Sequence, residues 1–100
     1  MIKEQARLDD KQFAETCKAL GHPARVLILK HLMAEDRCIC GRIVEVMPLA
    51  QSTVSQHLKV LKDAGLVEGE VEGAKTCYCV NKTMLSRLHA TMDTLASLPK

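Results

Sequence analysis

Aromatic residues are nearly missing. The 100-residue chain holds one Phe, one Tyr and no Trp, so Phe13 and Tyr78 are the only such rings a core can use. A core of Leu, Val, Ile, Met and Ala in so short a chain is thin, and a second subunit would help to cover apolar surface. No apolar run approaches the roughly 20 residues that span a bilayer. The N-terminal MIKEQARLDDKQ is charged and lacks the hydrophobic stretch of a secretory signal. Both absences predict a cytoplasmic protein with no membrane partner. No Cys-x-x-Cys lies beside a βαβ pattern, which disfavours a small thiol oxidoreductase. No Ser/His/Asp set or phosphate-cradling glycine loop is evident. Internal repeats, low-complexity tracts and interdomain linkers are absent too, and the length suits one domain.

Cysteine, by contrast, is plentiful. Five occur, and cytosolic thiols are kept reduced, so they point to metal binding, redox sensing or core filling rather than to a set of structural disulfides. The net charge of +2 says little about nucleic acid, because the informative signal is a local basic face.

Read in order, residues 1–8 are expected to form a flexible N-terminal arm, and residues 9–97 the folded domain. Phe13, Cys17 and Leu20 recur at i, i+4, i+7, which predicts a helix from Asp9 to Leu20, capped by Asp9 or Asp10 and ended by Gly21. Pro23 suits the first turn of a second helix, whose apolar face would be Val26, Leu29, Leu32 and Met33. Cys38-Ile39-Cys40-Gly41 introduces a third, short helix with Ile43, Val44 and Met47 inward, stopped by Pro48.

The stretch Leu49 to Val67 organises the rest. Gln51, Ser52 and Thr53 read as a helix start with side-chain capping, and Val54, Leu58 and Leu61 make one apolar stripe. Ser52, Ser55, Gln56, Lys59 and Asp63 fall opposite. Such a face can enter a DNA major groove, with short polar side chains for base edges and lysines for phosphates. An amphipathic helix with a solvated face would show the same pattern. Gly65 ends the helix. The alternating run from Leu66 to Val80 reads as a β-hairpin with its tip at Glu72–Lys75, and Asn81 caps a last helix carrying Leu85, Leu88, Met92 and Leu95.

Two helices, a short helix, a recognition helix, a hairpin and a final helix give a mainly α fold with a β-hairpin wing. Leu20-Gly21-His22-Pro23-Ala24-Arg25-Val26, Gln51-Ser52-Thr53-Val54-Ser55-Gln56-His57-Leu58, the Leu61 and Ala64–Val67 positions, Gly73 and Tyr78 together resemble the ArsR/SmtB family of small dimeric transcriptional repressors. The resemblance implies a winged helix-turn-helix homodimer, joined through its first and last helices and bound to an inverted repeat in double-stranded operator DNA. It implies DNA contacts from Ser52, Thr53, Ser55, Gln56, His57, Lys59 and Lys62, with Lys75 reaching the flanking backbone from the wing. Glu68, Glu70 and Glu72 make that wing acidic, so phosphate contact there should be weak.

Cys38 and Cys40 are the sharpest clue to an effector. At a helix start, residues two apart can converge on one ion, and the free N–H groups favour thiolate. Thiolates select soft ions. Arsenic-responsive members of the family carry a Cys-x-Cys here, which implies As(III) or Sb(III), or another soft metal ion, as effector and no obligatory cofactor. Some members add a cysteine three residues on, where this chain has Ile43. Cys77, Cys79 and Cys17 are the candidates for a third sulfur. Cys77 and Cys79 also suit simple strand packing, and Cys17 suits the core. A redox or reactive-sulfur sensor on the same fold is the alternative. The family's other effector site would need more than His89 and Asp93 in the last helix, so His89 reads as structural.

Overall fold

The computed structural model describes residues 7–35, 39–40, 50–72 and 75–99, with side chains except at 35, 39, 40, 51, 70–72, 75 and 76. In chain order the elements are α1 (Asp10–Leu20), α2 (Pro23–Glu35), β1 (Ile39–Cys40), α3 (Gln51–Asp63), β2 (Val67–Glu72), β3 (Lys75–Val80) and α4 (Lys82–Ala96). The short helix expected over Ile43–Met47 lies outside the described residues.

Local chemistry sets most of these boundaries. Asp9 caps α1 in a reciprocal box: its carboxylate accepts from Gln12 N–H at 2.7 Å, and Gln12 Oε1 accepts from Asp9 N–H at 3.2 Å. Pro23 opens α2, where its missing N–H leaves no bond unmade. Asn81 Oδ1 accepts from Met84 N–H at 3.1 Å and caps α4. The chain leaves α3 through Gly65 at φ 83°, a left-handed conformation that favours glycine. Gly65 N–H then donates to Lys62 C=O at 2.9 Å and Leu66 N–H to Leu61 C=O at 3.0 Å.

The core is the meeting of α2, α3 and the sheet. Ile28, Leu29, Leu32, Val54, Leu58, Leu61, Leu66 and Val67 are buried together with Ala19, and Tyr78, Val80, Met84 and Leu85 pack against them. Each fully buried aliphatic side chain contributes about 1.5–3 kcal/mol of transfer free energy. The Val54, Leu58, Leu61 stripe is therefore the inner face of α3, as its spacing predicts.

Several expectations change. No side chain caps α3: Ala50 holds the N-cap position, and Ser52 and Thr53 are already helical. The inner face of α1 is centred on Thr16 and Ala19, with Phe13, Cys17 and Leu20 only half-buried. Thr16 tolerates burial because its hydroxyl donates to Gln12 C=O at 2.7 Å. On α2, Val26 and Met33 are 40% and 42% exposed, and Ile28 is buried in their place. That helix is apolar nearly all round, so spacing alone does not choose its inner face. Leu8, expected at the end of a free arm, is buried, and its N–H donates to Thr91 Oγ1 at 2.8 Å.

The sheet has three strands in the order β1-β3-β2. Ile39 and Cys40, expected at the start of a helix, form β1 and pair antiparallel with Tyr78 and Cys77. The hairpin runs from Val67↔Val80 to Glu72↔Lys75, which puts its tip where the turn was expected. Gly69 lies opposite Tyr78, and a Cβ there would come 2.7 Å from the tyrosine ring. The missing side chain is the seat for that ring.

Candidate nucleic-acid interface and adjoining cysteines

Burying Val54, Leu58 and Leu61 at 0–2% exposure leaves the opposite side of α3 facing out. Ser52, Ser55, Gln56, Lys59 and Lys62 are exposed, and Thr53 is half-buried. The row begins at the N-terminal turn, where a groove-reading helix makes its base contacts. Lys59 Nζ lies 3.3 Å from Asp63 Oδ2, with both side chains largely exposed. An exposed pair of this kind is worth about 0–1 kcal/mol, so Lys59 can exchange it for a phosphate at little cost. The side chain of Lys75 lies outside the described set, and Glu68 is exposed.

His57 is held differently from its neighbours. It is half-buried, and Arg25 Nε donates to its Nδ1 at 3.2 Å. The Arg25 guanidinium also donates to Lys18 C=O at 3.4 Å and Ala19 C=O at 3.2 Å, the last carbonyls of α1. The His22 ring lies 4.5 Å from that of His57, and His22 Nδ1 accepts from Ala24 N–H at 3.1 Å. Burial, then the nearby His22, then Arg25 hold the His57 imidazole below its ordinary pKa. His57 therefore faces inward through Nδ1. The His22-Pro23-Ala24-Arg25 stretch is the cradle that fixes α3, a link between two distant motifs that neither motif shows alone.

The comparisons agree with this geometry. Residues 22–69 match the family model described as "Bacterial regulatory protein, arsR family". An uncharacterized HTH-type transcriptional regulator of Methanocaldococcus jannaschii is 37% identical over 82% of this chain and 92% of its own length. The chain belongs to the ArsR family. The HTH-type transcriptional repressor SmtB of Mycobacterium tuberculosis is 37% identical over 82% of this chain, which spans 58% of that longer protein. The arsenical resistance operon repressor of Staphylococcus xylosus is 31% identical over 83% of this chain and 79% of its own. Among solved structures, a possible transcriptional regulator for arsenical resistance superposes with a TM-score of 0.72 at 26% identity, over 81% of this chain and 83% of that one.

This ArsR-family protein is thus a winged helix-turn-helix transcriptional regulator and not an enzyme. Regulators of the family bind operator DNA. No helix among the described residues is long and apolar enough to cross a membrane.

None of the cysteines lies on α3. Tyr78 and Val80 pack on the core, so alternation puts Cys77 and Cys79 on the outer face of β3. Both are half-buried and disulfide-bonded. The backbone of Cys40 lies directly opposite Cys77, while Cys38 lies outside the described residues. Across the other ladder Glu70 faces Cys77 and Glu68 faces Cys79. Cys17 is a free thiol on α1. His89 is exposed rather than packed, as is Asp93. Among the described side chains, no three His, Cys, Asp or Glu groups converge as a metal site.

Proposed function

We propose that this protein represses transcription by holding operator DNA, and lets go when a thiophilic ion, arsenite or antimonite foremost, binds the thiolates of Cys38 and Cys40. The observation that carries the DNA half is the outward polar row of α3, Ser52 to Lys62, over a fully buried stripe. In this reading Ser52, Thr53, Ser55 and Gln56 reach base edges or phosphates, and Lys59, Lys62 and Lys75 add phosphate contacts. The effector half draws support from arsenical-resistance regulators among the relatives and from the thiol chemistry of Cys-x-Cys.

A homodimer joined through α1 and α4 sets two copies of α3 about one DNA turn apart, to read an inverted repeat. The exposed Met92 and Leu95 of α4 are what such a partner would cover. Ion binding needs to favour the released shape by only about 1–3 kcal/mol to clear the promoter.

A second reading has an observation of its own. The disulfide-bonded state of Cys77 and Cys79 fits a repressor that senses oxidants or reactive sulfur. Glu68, opposite Cys79 on β2, weighs against it, since reactive thiolates favour electropositive surroundings.

One experiment tests both halves. Operator binding by fluorescence anisotropy, under anaerobic conditions, is followed while arsenite, hydrogen peroxide or a persulfide is added. Arsenite should release the wild type and leave Cys38→Ser/Cys40→Ser bound, while Gln56→Ala should weaken operator binding by about 1–3 kcal/mol. Release by peroxide or persulfide but not arsenite would favour the second reading.

A further inference from the structure

Arg25 has partners on two other helices at once. Its Nη1 donates to the carbonyls of Lys18 and Ala19 at 3.4 and 3.2 Å, at the end of α1, and its Nε donates to Nδ1 of His57 at 3.2 Å, on α3. We propose that Arg25 is a positioning residue for DNA reading: it holds α3 to the end of α1 through a neutral His57, and protonating His57 breaks that hold and weakens operator binding. This rests on α3 being the helix that meets DNA.

The hydrogen-bond roles of the two side chains carry the argument. A guanidinium only donates, so the Nδ1 it meets is bare, and the one proton of the neutral imidazole sits on Nε2. A second proton can go only to Nδ1. There it would face the Nε–H of Arg25, donor against donor and cation against cation. Either His57 turns away or Arg25 lets go of α1, and the tie between the helices is lost both ways. The proton leaves the buried stripe of Val54, Leu58 and Leu61 untouched, so α3 stays seated and loses its alignment.

The surroundings of the ring set the sign. The titratable and charged groups that act on it are His22, from the turn before α2, and Arg25, from α2. After burial, both oppose the imidazolium. From α1 come the carbonyls of Lys18 and Ala19, which hold Arg25. One turn away on α3 itself stand Thr53, Val54, Val60 and Leu61, which carry no charge. The neutral, tied ring therefore prevails above about pH 6.5, and the tie is lost as pH falls through the lower folded value. A histidine that met a phosphate would do the reverse, since its added charge tightens DNA binding.

The test uses the full chain, reduced, with a labelled duplex that the protein selects from a random-sequence pool at pH 7.5. Its Kd for the wild type should rise about tenfold between pH 7.5 and 5.5, the scale of one lost charge-assisted bond. His57→Asn keeps an acceptor oxygen where Nδ1 stood and does not titrate, so its Kd should not rise over that range. Arg25→Met should bind about tenfold more weakly at pH 7.5 and lose the acid-induced rise. A wild-type Kd that holds level or falls on acidification would overturn the proposal, as would an equal rise in His57→Asn. If Arg25→Met does not fold, nitrogen-15 NMR of the wild-type histidine rings decides in its place. At pH 7.5 His57 should carry its proton on Nε2, and a proton on Nδ1 would equally overturn the tie. Gln56→Ala binding as tightly as the wild type would instead remove α3 from the DNA, whatever the pH profile.

Discussion

The helix α3 and the last helix α4 look alike in sequence and fare differently in the fold. Both are amphipathic, of 13 and 15 residues. Yet α3 buries Val54, Leu58 and Leu61 to 0–2% exposure, while α4 buries no residue fully and leaves Met92 at 47% and Leu95 at 52%. Periodicity therefore identifies a face that wants cover without saying what covers it. For α3 the cover is α2 and the sheet. For α4 the subunit itself provides only part of it, through Met84 and Leu85 near its start and Leu8 near its middle.

The sharpest way to break the contrast is to shorten one side chain in each stripe. Leu61→Ala should cost about 2–5 kcal/mol in urea unfolding, because the surrounding packing collapses only partly onto the hole. If Leu61→Ala unfolded no more easily than a surface mutant, α3 would not be seated as described. On α4, Leu95→Glu should leave each subunit folded and weaken dimerisation by about 2 kcal/mol or more, read by sedimentation at graded concentrations. An unchanged dimer would remove α4 from the interface.

The smallest effect separates the helices by pH. The depressed pKa of His57, caused by burial first and by His22 and Arg25 after it, means that the unfolded chain binds a proton more readily than the folded one. Its contribution to stability is complete above about pH 6.5 and is lost as pH falls through the lower folded value. Urea midpoints should drop modestly between about pH 7.5 and 5.5, and His57→Gln should flatten that slope. A slope unchanged by the substitution would assign it to other groups.

Much of this was legible in the residues. The stripe of α3, the glycine after it, the Asn81 cap and the hairpin turn all rest on short-range chemistry that sequence displays directly. The strand β1 was not legible, because two residues carry no period and Cys-Ile-Cys alternates too briefly to separate strand from helix start. Ser52 and Thr53 are good cappers in general and so suggest a side-chain cap on α3, while here Ala50 takes the extended conformation ahead of them. The tie from Arg25 to His57 spans 32 residues, and no local pattern announces it. The same limit applies to the cysteines. Spacing singled out Cys38 and Cys40, but only strand pairing sets Cys40 against Cys77.

The vacant side-chain position at Gly69 has a consequence for those cysteines. Sliding β3 by one residue against its neighbours would trade the tyrosine for a thiol on the inner side and turn the ring toward water. The notch under Tyr78 lies at Gly69, where a Cβ would come 2.7 Å from the ring. A missing methyl on the middle of the wing thus acts as an alignment peg, and the placing of Cys77 and Cys79 on the far side inherits its accuracy from a hydrogen atom.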